Sequence, residues 1–482
     1  MKRKFVTNLI LLVTLNLLIK PFWILGIDRS VQNLVGDESY GMYFALFNFS
    51  LLLNIILDVG ITNFNNKNIA QNNSLLNKHL SNIVGLKFTL AIVYAIFSLV
   101  TATIIGYDKI QIHLLLFLIF NQFLISFTLY LRSNISGLHL FRTDSLLSVL
   151  DRSLMIIICG ILLYSNFFKD HFTIEWFVYA QTAAYVLTTV ITFFIVLQKS
   201  GKINIRFSPK FFIAFLRKSY PYALLILLMS FYNRIDGVML ERMLPDALGK
   251  QQAGIYAQAF RLLDAVSMFG VLVAGLLLPI FAKMIKEREP LSSMIKLSFT
   301  FLFVTAVIVA VSSGFYNFEI MDILYHSNTE HSSGILGILM TGFIGIATTY
   351  VFGTLLTANG SMKQLNIMAF IGMIINVSLN LVLIPKYQAF GSAYASLCTQ
   401  IITALAQVIL ATIIFKLKPD FIFILKLVAF VSITIGLAMV SKIFNNWFIG
   451  YLFLLSGAAL LSFILRLFHI KDLIKLLPPK QL

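Results

Sequence analysis

Cysteine is nearly absent from this chain of 482 residues: only Cys159 and Cys398 occur, each inside an apolar run. That excludes a disulfide framework and a CxxC metal pair. Charge is scarce as well, at 12% of residues, and acids are the scarcer sign, 20 against 37 bases. The sequence has no Gly-rich phosphate loop, no HExxH and no GxSxG, and no DxD of the kind that lipid-phosphosugar glycosyltransferases show in outer loops. Nothing here asks for covalent catalysis, so neither catalytic residues, a metal nor a resident cofactor is expected. The seven histidines are scattered; His326 and His331, near Glu319, Asp322 and Glu330, read as part of a solvated acidic loop.

What the chain has instead is apolar residue, 59% of the total, gathered into runs of 20 or more. Such runs are transmembrane helices. The formal charge of +17 does not point to nucleic acid, because the bases cluster in short loops between the runs. That distribution is the orientation signal of membrane helices, and some of the excess also suits anionic headgroups. MKRK at the start mimics a signal peptide, but the run continues through Lys20-Pro21 to Ile27 with no small-residue cleavage site. It reads as an uncleaved first span.

Runs near 5–27, 40–64, 83–106, 110–131, 145–167, 174–198, 219–240, 252–282, 295–317, 333–357, 364–385, 389–415, 421–443 and 447–468 predict an all-α integral membrane protein of about fourteen helices. An even count with both termini cytoplasmic places most Lys and Arg inside, Lys202, Arg206, Lys471 and Lys475 among them. It leaves Asp28, Asp37, Glu38, Glu319, Asp322 and Glu330 outside.

The chain also repeats itself. GMYFALF at 41–47 matches GIYAQAF at 254–260, and the same offset pairs Ile27-Asp28-Arg29 with Leu240-Glu241-Arg242. A looser echo pairs LRSNISG at 131–137 with LLTANG at 355–360. Two six-helix lobes, 1–198 and 219–416, are therefore expected as a parallel pseudo-repeat, joined by a basic cytoplasmic linker at 199–218. Helices 13 and 14 with the tail, 417–482, lie outside the repeat.

Two such bundles around a cavity form an alternating-access architecture. A charge at membrane depth costs at least ~2.5–3.5 kcal/mol, so ionised residues inside the runs are the site candidates. These are Lys20, Asp58, Asp151, Arg152, Arg234, Asp236, Arg261 and Asp264. Arg261 and Asp264 share a helix face, whereas Arg234 and Asp236, two residues apart, need partners elsewhere. Two readings stay open for the set: ion pairs that fix helix packing, or groups lining a cavity. Arg is the better permanent charge for phosphate. Arg132 and Lys363, at the inner ends of their helices, read as snorkelling interface residues. Pro21 is expected to break helix 1, with Gly26 one turn later.

The segment YGMYFALFNFSLLLNIILDVGITNFNNKNIA (40–70) resembles the polysaccharide-exporter, O-antigen (Wzx-type) branch of the multidrug/oligosaccharidyl-lipid/polysaccharide flippase superfamily. So do YPYALLILLMSFYNRIDGVMLERML (220–244), AGIYAQAFRLLDAV (253–266) and LLLPIFAK (276–283). The most specific block is 353–400, with its NG turn, Asn376 and Asn380, an LIP, and a G-A-Y-A-like start to the next helix. It departs from the family's usual YG-x-x-G turn at Tyr387–Gly391, in a loop.

The resemblance implies a flippase for undecaprenyl-diphosphate-linked oligosaccharide in the bacterial inner membrane, serving O-antigen, capsule or a related surface glycan. Polysaccharide polymerase and export proteins are the implied partners. By motif it carries a pyrophosphate-binding role to Arg234 and Arg261, with Asp236 beside them; Arg152 and Lys20 are added on cavity logic. Asp58, Asp236 and Asp264 are the candidates for coupling to H⁺ or Na⁺, and Asp151 for a cavity ion pair. Two rivals are a multidrug cation antiporter of the same superfamily, which needs an acidic, aromatic cavity, and a membrane polymerase or ligase of lipid-linked glycans, which needs large outer loops.

Overall fold

The computed structural model describes residues 2–72, 76–165, 169–200, 209–418 and 420–468, and among them every regular element is helical. Lipid offers no partner to a backbone N–H or C=O, so an apolar chain satisfies them within helices. The helices are α1 Lys2–Phe22, α2 Arg29–Leu52, α3 Ile61–Gln71, α4 Leu76–Ile105, α5 Lys109–Gly137, α6 Phe141–Tyr164, α7 Ile174–Ser200 and α8 Pro209–Met243. They continue as α9 Asp246–Glu287, α10 Ser292–Phe315, α11 Asn317–Leu324, α12 Thr329–Ala358, α13 Met362–Phe415, α14 Phe421–Ser441 and α15 Trp447–Ile464. Most of the expected linker, including Lys202 and Arg206, and the tail with Lys471 and Lys475 lie outside the described residues.

Among the described residues eleven helices are long and apolar enough to cross a membrane, where the sequence predicts about fourteen. Part of the difference lies in α13, whose 54 residues would reach ~80 Å if straight. Its backbone leaves helical geometry at Gln388 (φ 52, ψ −129). The Ser392 hydroxyl then donates to Asn380 Oδ1 at 2.8 Å, so the chain turns back on itself. Asn380 in turn donates to the Asn376 carbonyl at 3.0 Å, one turn back along its own arm, so Asn380 closes the turn and Asn376 orients it. The spans expected at 364–385 and 389–415 are the two arms of this rod. Neither α1 nor α2 is among the eleven, and α2 carries Arg29 on one side and Asp37 and Glu38 on the other side of a break at Gly36.

Two expected elements are differently broken. α1 runs through Pro21, and the irregularity comes just after it as a π-helical turn, Trp23–Asp28. Proline has no N–H to return to the preceding turn, and widened turns of this kind recur at functional sites. The reversal between the first two helices follows at Gly36, whose φ of 81° suits glycine. The span expected at 40–64 stops at Leu52, passes through a 3₁₀ turn, Asn54–Leu57, and a left-handed Val59 (φ 43), and restarts as α3. Asp58 accepts the Thr62 hydroxyl at 2.5 Å and its backbone N–H at 3.3 Å, which caps α3.

The chain divides into two compact units, Met1–Ala257 and Gln258–Leu482, and the division falls inside α9. In the first unit α5 packs on α7 and α3, α1 on α6, and α2 on α8. Its apolar cluster includes Ile61, Leu80, Leu90, Phe127, Leu131 and Val196. Buried polar pairs join the same helices: Asn65 donates to Ser133 and Asn134 at 2.9 Å each, and Tyr94 to the Ser50 carbonyl at 2.7 Å. Interhelical hydrogen bonds of this kind, with close van der Waals packing, hold membrane helices together where lipid removes the hydrophobic drive. In the second unit α12 packs on α13 and α10, and α14 pairs with α15. Val304, Val307, Phe430 and Leu461 seat α14 and α15 against α10.

Candidate functional site

The first unit gathers three cations on adjacent helices. On α1, Asn16 and Lys20 are one turn apart and so share a face, which meets α6, and Trp23 opens the π-helical turn just beyond. Asn16 donates to the Ser148 hydroxyl at 2.9 Å. One turn on, Lys20 lies within electrostatic reach of Arg152, Asp151 and Arg132. Arg132 on α5 donates to Asp144 at 2.8 Å, both side chains less than a fifth exposed. Arg132, Asp151 and Tyr185 line a small open cleft between α5, α6 and α7. Lys20, Arg132 and Arg152 thus stand against two carboxylates, Asp144 and Asp151, which leaves positive charge in excess.

Arg152 is held in an unusual way. Its guanidinium carbon lies 5.6 Å from the Trp23 ring and 5.8 Å from the Tyr185 ring. Both rings are within cation–π range. The neighbouring Asp151 carboxylate is 3.8 Å away, too far for a hydrogen bond, and the Met155 sulfur at 3.2 Å is a weak acceptor. A large part of the guanidinium's donor capacity is therefore left for something else.

The other candidates have partners of their own. Asp58 belongs to a separate buried pair: Lys87 donates to it at 2.7 Å, and also to the Leu57 carbonyl at 2.9 Å and the Ser126 hydroxyl at 3.0 Å. All three ammonium protons of Lys87, 1% exposed, are used. This pair staples the broken end of α2 to α4 and α5. Asp236 on α8 is buried and accepts the Tyr256 hydroxyl at 2.9 Å, which supplies a partner from another helix; Arg234, two residues earlier, is half-buried. In the second unit Arg261 and Asp264 share a helix face as their spacing requires, 3.8 Å apart and mostly buried. Within the first unit Lys20, Asp151 and Arg152 come together, while Asp58 pairs with Lys87 and Asp236 with Tyr256.

The sequence reading missed three members of the Arg152 cluster and the partner of Asp58. Arg132 is an ion-paired cleft residue with Asp144 as its partner, where snorkelling was expected. Lys87 is a lone cation early in an apolar run, a signal as strong as that of Lys20. Trp23 and Tyr185 carry no signal in a sequence that is 14% aromatic. Among the described residues no group of three His, Cys, Asp or Glu side chains is placed to hold a metal.

Comparison with known proteins adds the family. The family described as "Polysaccharide biosynthesis protein" matches residues 5–285. A search of the curated proteins found no match. Among solved structures, the lipid II flippase MurJ in an inward closed conformation aligns at 17% identity and a TM-score of 0.72, covering 96% of this chain and 100% of that one. An inward-facing multidrug resistance MATE transporter of the MOP superfamily aligns at 14% identity and 0.61, covering 85% and 98%. A MOP superfamily transporter from Pyrococcus furiosus, described by the reverse polarity of its binding pocket, aligns at 15% and 0.55, covering 85% and 94%. At these identities the likeness is one of fold. With more than half of its length inside the family match, the chain belongs to the polysaccharide biosynthesis protein family, and its all-helical fold is the one seen in these solved structures.

Proposed function

We propose that this protein is a flippase that carries an undecaprenyl-diphosphate-linked oligosaccharide across the bacterial cytoplasmic membrane by alternating access, for assembly of O-antigen, capsule or a related surface glycan. The observation that carries this reading is the excess of positive charge in the cluster of Lys20, Arg132 and Arg152, with Arg132 and Asp151 lining the cleft beside it, in the first unit of a polysaccharide biosynthesis family member. A lipid-linked diphosphate puts its permanent negative charge at the end of an apolar tail. Guanidinium groups are suited to that charge, because each offers paired N–H donors and never deprotonates.

In this reading Arg152 and Lys20 hold the diphosphate, Arg132 adds to the field, and the isoprenoid tail stays in lipid. Arg234 and Arg261 keep the binding role that resemblance assigns them. Asp236 and Asp264 are the candidates for coupling transport to H⁺ or Na⁺, while Asp58, tied to Lys87, is structural. Binding alone moves nothing: the headgroup must bind the two states with different affinity. A cation antiporter would want the opposite charge balance at this cleft. Polymerase and export proteins that consume the flipped glycan are the proposed partners.

The test is the distribution of lipid-linked sugars between the two leaflets in cells lacking the protein. Loss of surface glycan, with the diphosphate-linked intermediate trapped inside and rescue by wild type but not by Arg152→Ala plus Lys20→Ala, supports the flippase. Unchanged surface glycan with reduced efflux of cationic dyes would replace it with the antiporter.

A further inference from the structure

Trp23 is the first residue of the π-helical turn, 6% exposed, and it is locked from behind. Its ring stacks on Phe177 with centroids 5.8 Å apart and planes 7° from parallel. Phe177 in turn takes the edge of Tyr43 at 5.2 Å. The Trp23 ring is thus fixed by residues of α2 and α7, and the charge it meets is Arg152 of α6. Tyr185, also on α7, takes the guanidinium from a second direction. A lone arginine in an apolar helix would otherwise swing toward the headgroups or collapse onto the nearest carboxylate. Here the carboxylate stands off at 3.8 Å and the rings hold the cation in place.

Cation–π attraction restrains a guanidinium without consuming its N–H donors, which lie at its edge. A salt bridge would fix the same group only by occupying those donors. We propose that Trp23 and Tyr185 are positioning residues: they hold Arg152 in one orientation with donors open, so that it meets a diphosphate preformed. The assignment rests on the diphosphate-flippase reading above. It also gives the π turn a purpose, since the turn begins at the residue whose ring must lie over Arg152.

The chain has three tryptophans, and Trp176 and Trp447 lie outside this cluster. A full-length Trp176→Phe plus Trp447→Phe protein makes Trp23 the only indole reporter. Geranyl diphosphate, titrated in detergent, is the probe, read by Trp23 emission and by calorimetry. The emission should respond saturably, and Arg152→Gln should abolish the response. By calorimetry, Trp23→Leu should weaken binding about tenfold, the scale of a desolvated cation–π contact, while Trp23→Phe stays within about threefold. In an Arg152→Gln background, Trp23→Leu should cost nothing further. Equal weakening with and without Arg152 would overturn the positioning role and leave the flippase reading standing. Failure of the parent protein to bind the diphosphate at all would overturn that reading, and this inference with it.

Discussion

Gly41 and Gly254 occupy equivalent places in the two sequence repeats, and they pack against each other's helices. A side chain on Gly41 would drive into the Lys250 carbonyl and the Gly254 nitrogen, and one on Gly254 into the Asp37 carbonyl. Gln32 bridges the same crossing by donating to the Gly254 carbonyl at 2.9 Å. Small residues let membrane helices approach to backbone contact. Here the repeat supplies one from each side.

Either glycine is therefore intolerant of even a methyl group. Gly41→Ala and Gly254→Ala should each lower stability by ~1–3 kcal/mol, the range for overpacking where the backbone has to move. Gly436, whose added carbon would meet nothing within 4 Å, should accept alanine without loss. Thermal midpoints of the three detergent-purified variants check the contrast. A Gly41→Ala protein as stable as Gly436→Ala would refute the close crossing.

Lys87 and Asp58 make a second stability prediction. Removing one partner of a buried pair typically costs ~3–5 kcal/mol; the Asp58 side chain is 28% exposed, which moves its loss toward the lower end. Lys87→Met also removes a donor from both the Leu57 carbonyl and the Ser126 hydroxyl, so it should be the worse of the single variants, Asp58→Asn the milder. Lys87→Met with Asp58→Asn should recover part of the loss. Melting of the four proteins gives the coupling directly. Since the pair lies outside the cationic cleft, Asp58→Asn should leave diphosphate affinity within about twofold.

The long apolar runs made the helices legible, because length and hydropathy alone decide what lipid will accept. Breaks were harder to read. Val59 and Gln388 both take left-handed backbone, yet β-branched and long polar residues seldom advertise a turn. The charges were visible one by one, but their grouping was not. Lys20 and Arg152 are 132 residues apart, and only the packing of α1 on α6 brings them together. Arg132 and Asp144 sit on successive helices across a short turn, a spacing that suggests the pair in hindsight. Trp23 was hidden most completely, since an indole inside an apolar run reads as lipid-facing or core until its neighbours are known.

Asp420 gives the pH prediction. It lies outside the spans at the N-cap of α14, where Lys296 at 2.7 Å, and then the Phe423 backbone N–H, hold its carboxyl below the usual carboxylate range. A depressed folded value means that the contact stabilises above the unfolded carboxylate value, and that its contribution is lost as pH falls through the folded one. Wild type should therefore melt slightly above Asp420→Asn at neutral pH, with the gap closing below about pH 4. A gap that stays constant from pH 7 to pH 3 would show that the charge contributes nothing.

Arg132 and Asp144 offer a sharper test of the cleft than any single loss of function. If the excess positive charge is what receives a diphosphate, the two halves of this ion pair must act with opposite sign. Arg132→Gln removes a cation from the lining and leaves Asp144 as an unopposed negative charge, so geranyl diphosphate should bind roughly tenfold more weakly, the scale of one charged hydrogen bond. Asp144→Asn keeps the arginine, releases it from its carboxylate, and should leave affinity unchanged or raise it by up to about tenfold. A purely structural pair predicts the reverse pattern, in which both variants lose binding and stability together because each leaves the other partner orphaned. Titrating both variants at low and high salt separates the cases further. An electrostatic gain in Asp144→Asn should persist at 0.5 M salt if the cleft is screened from solvent, and collapse if the arginine answers only a surface field.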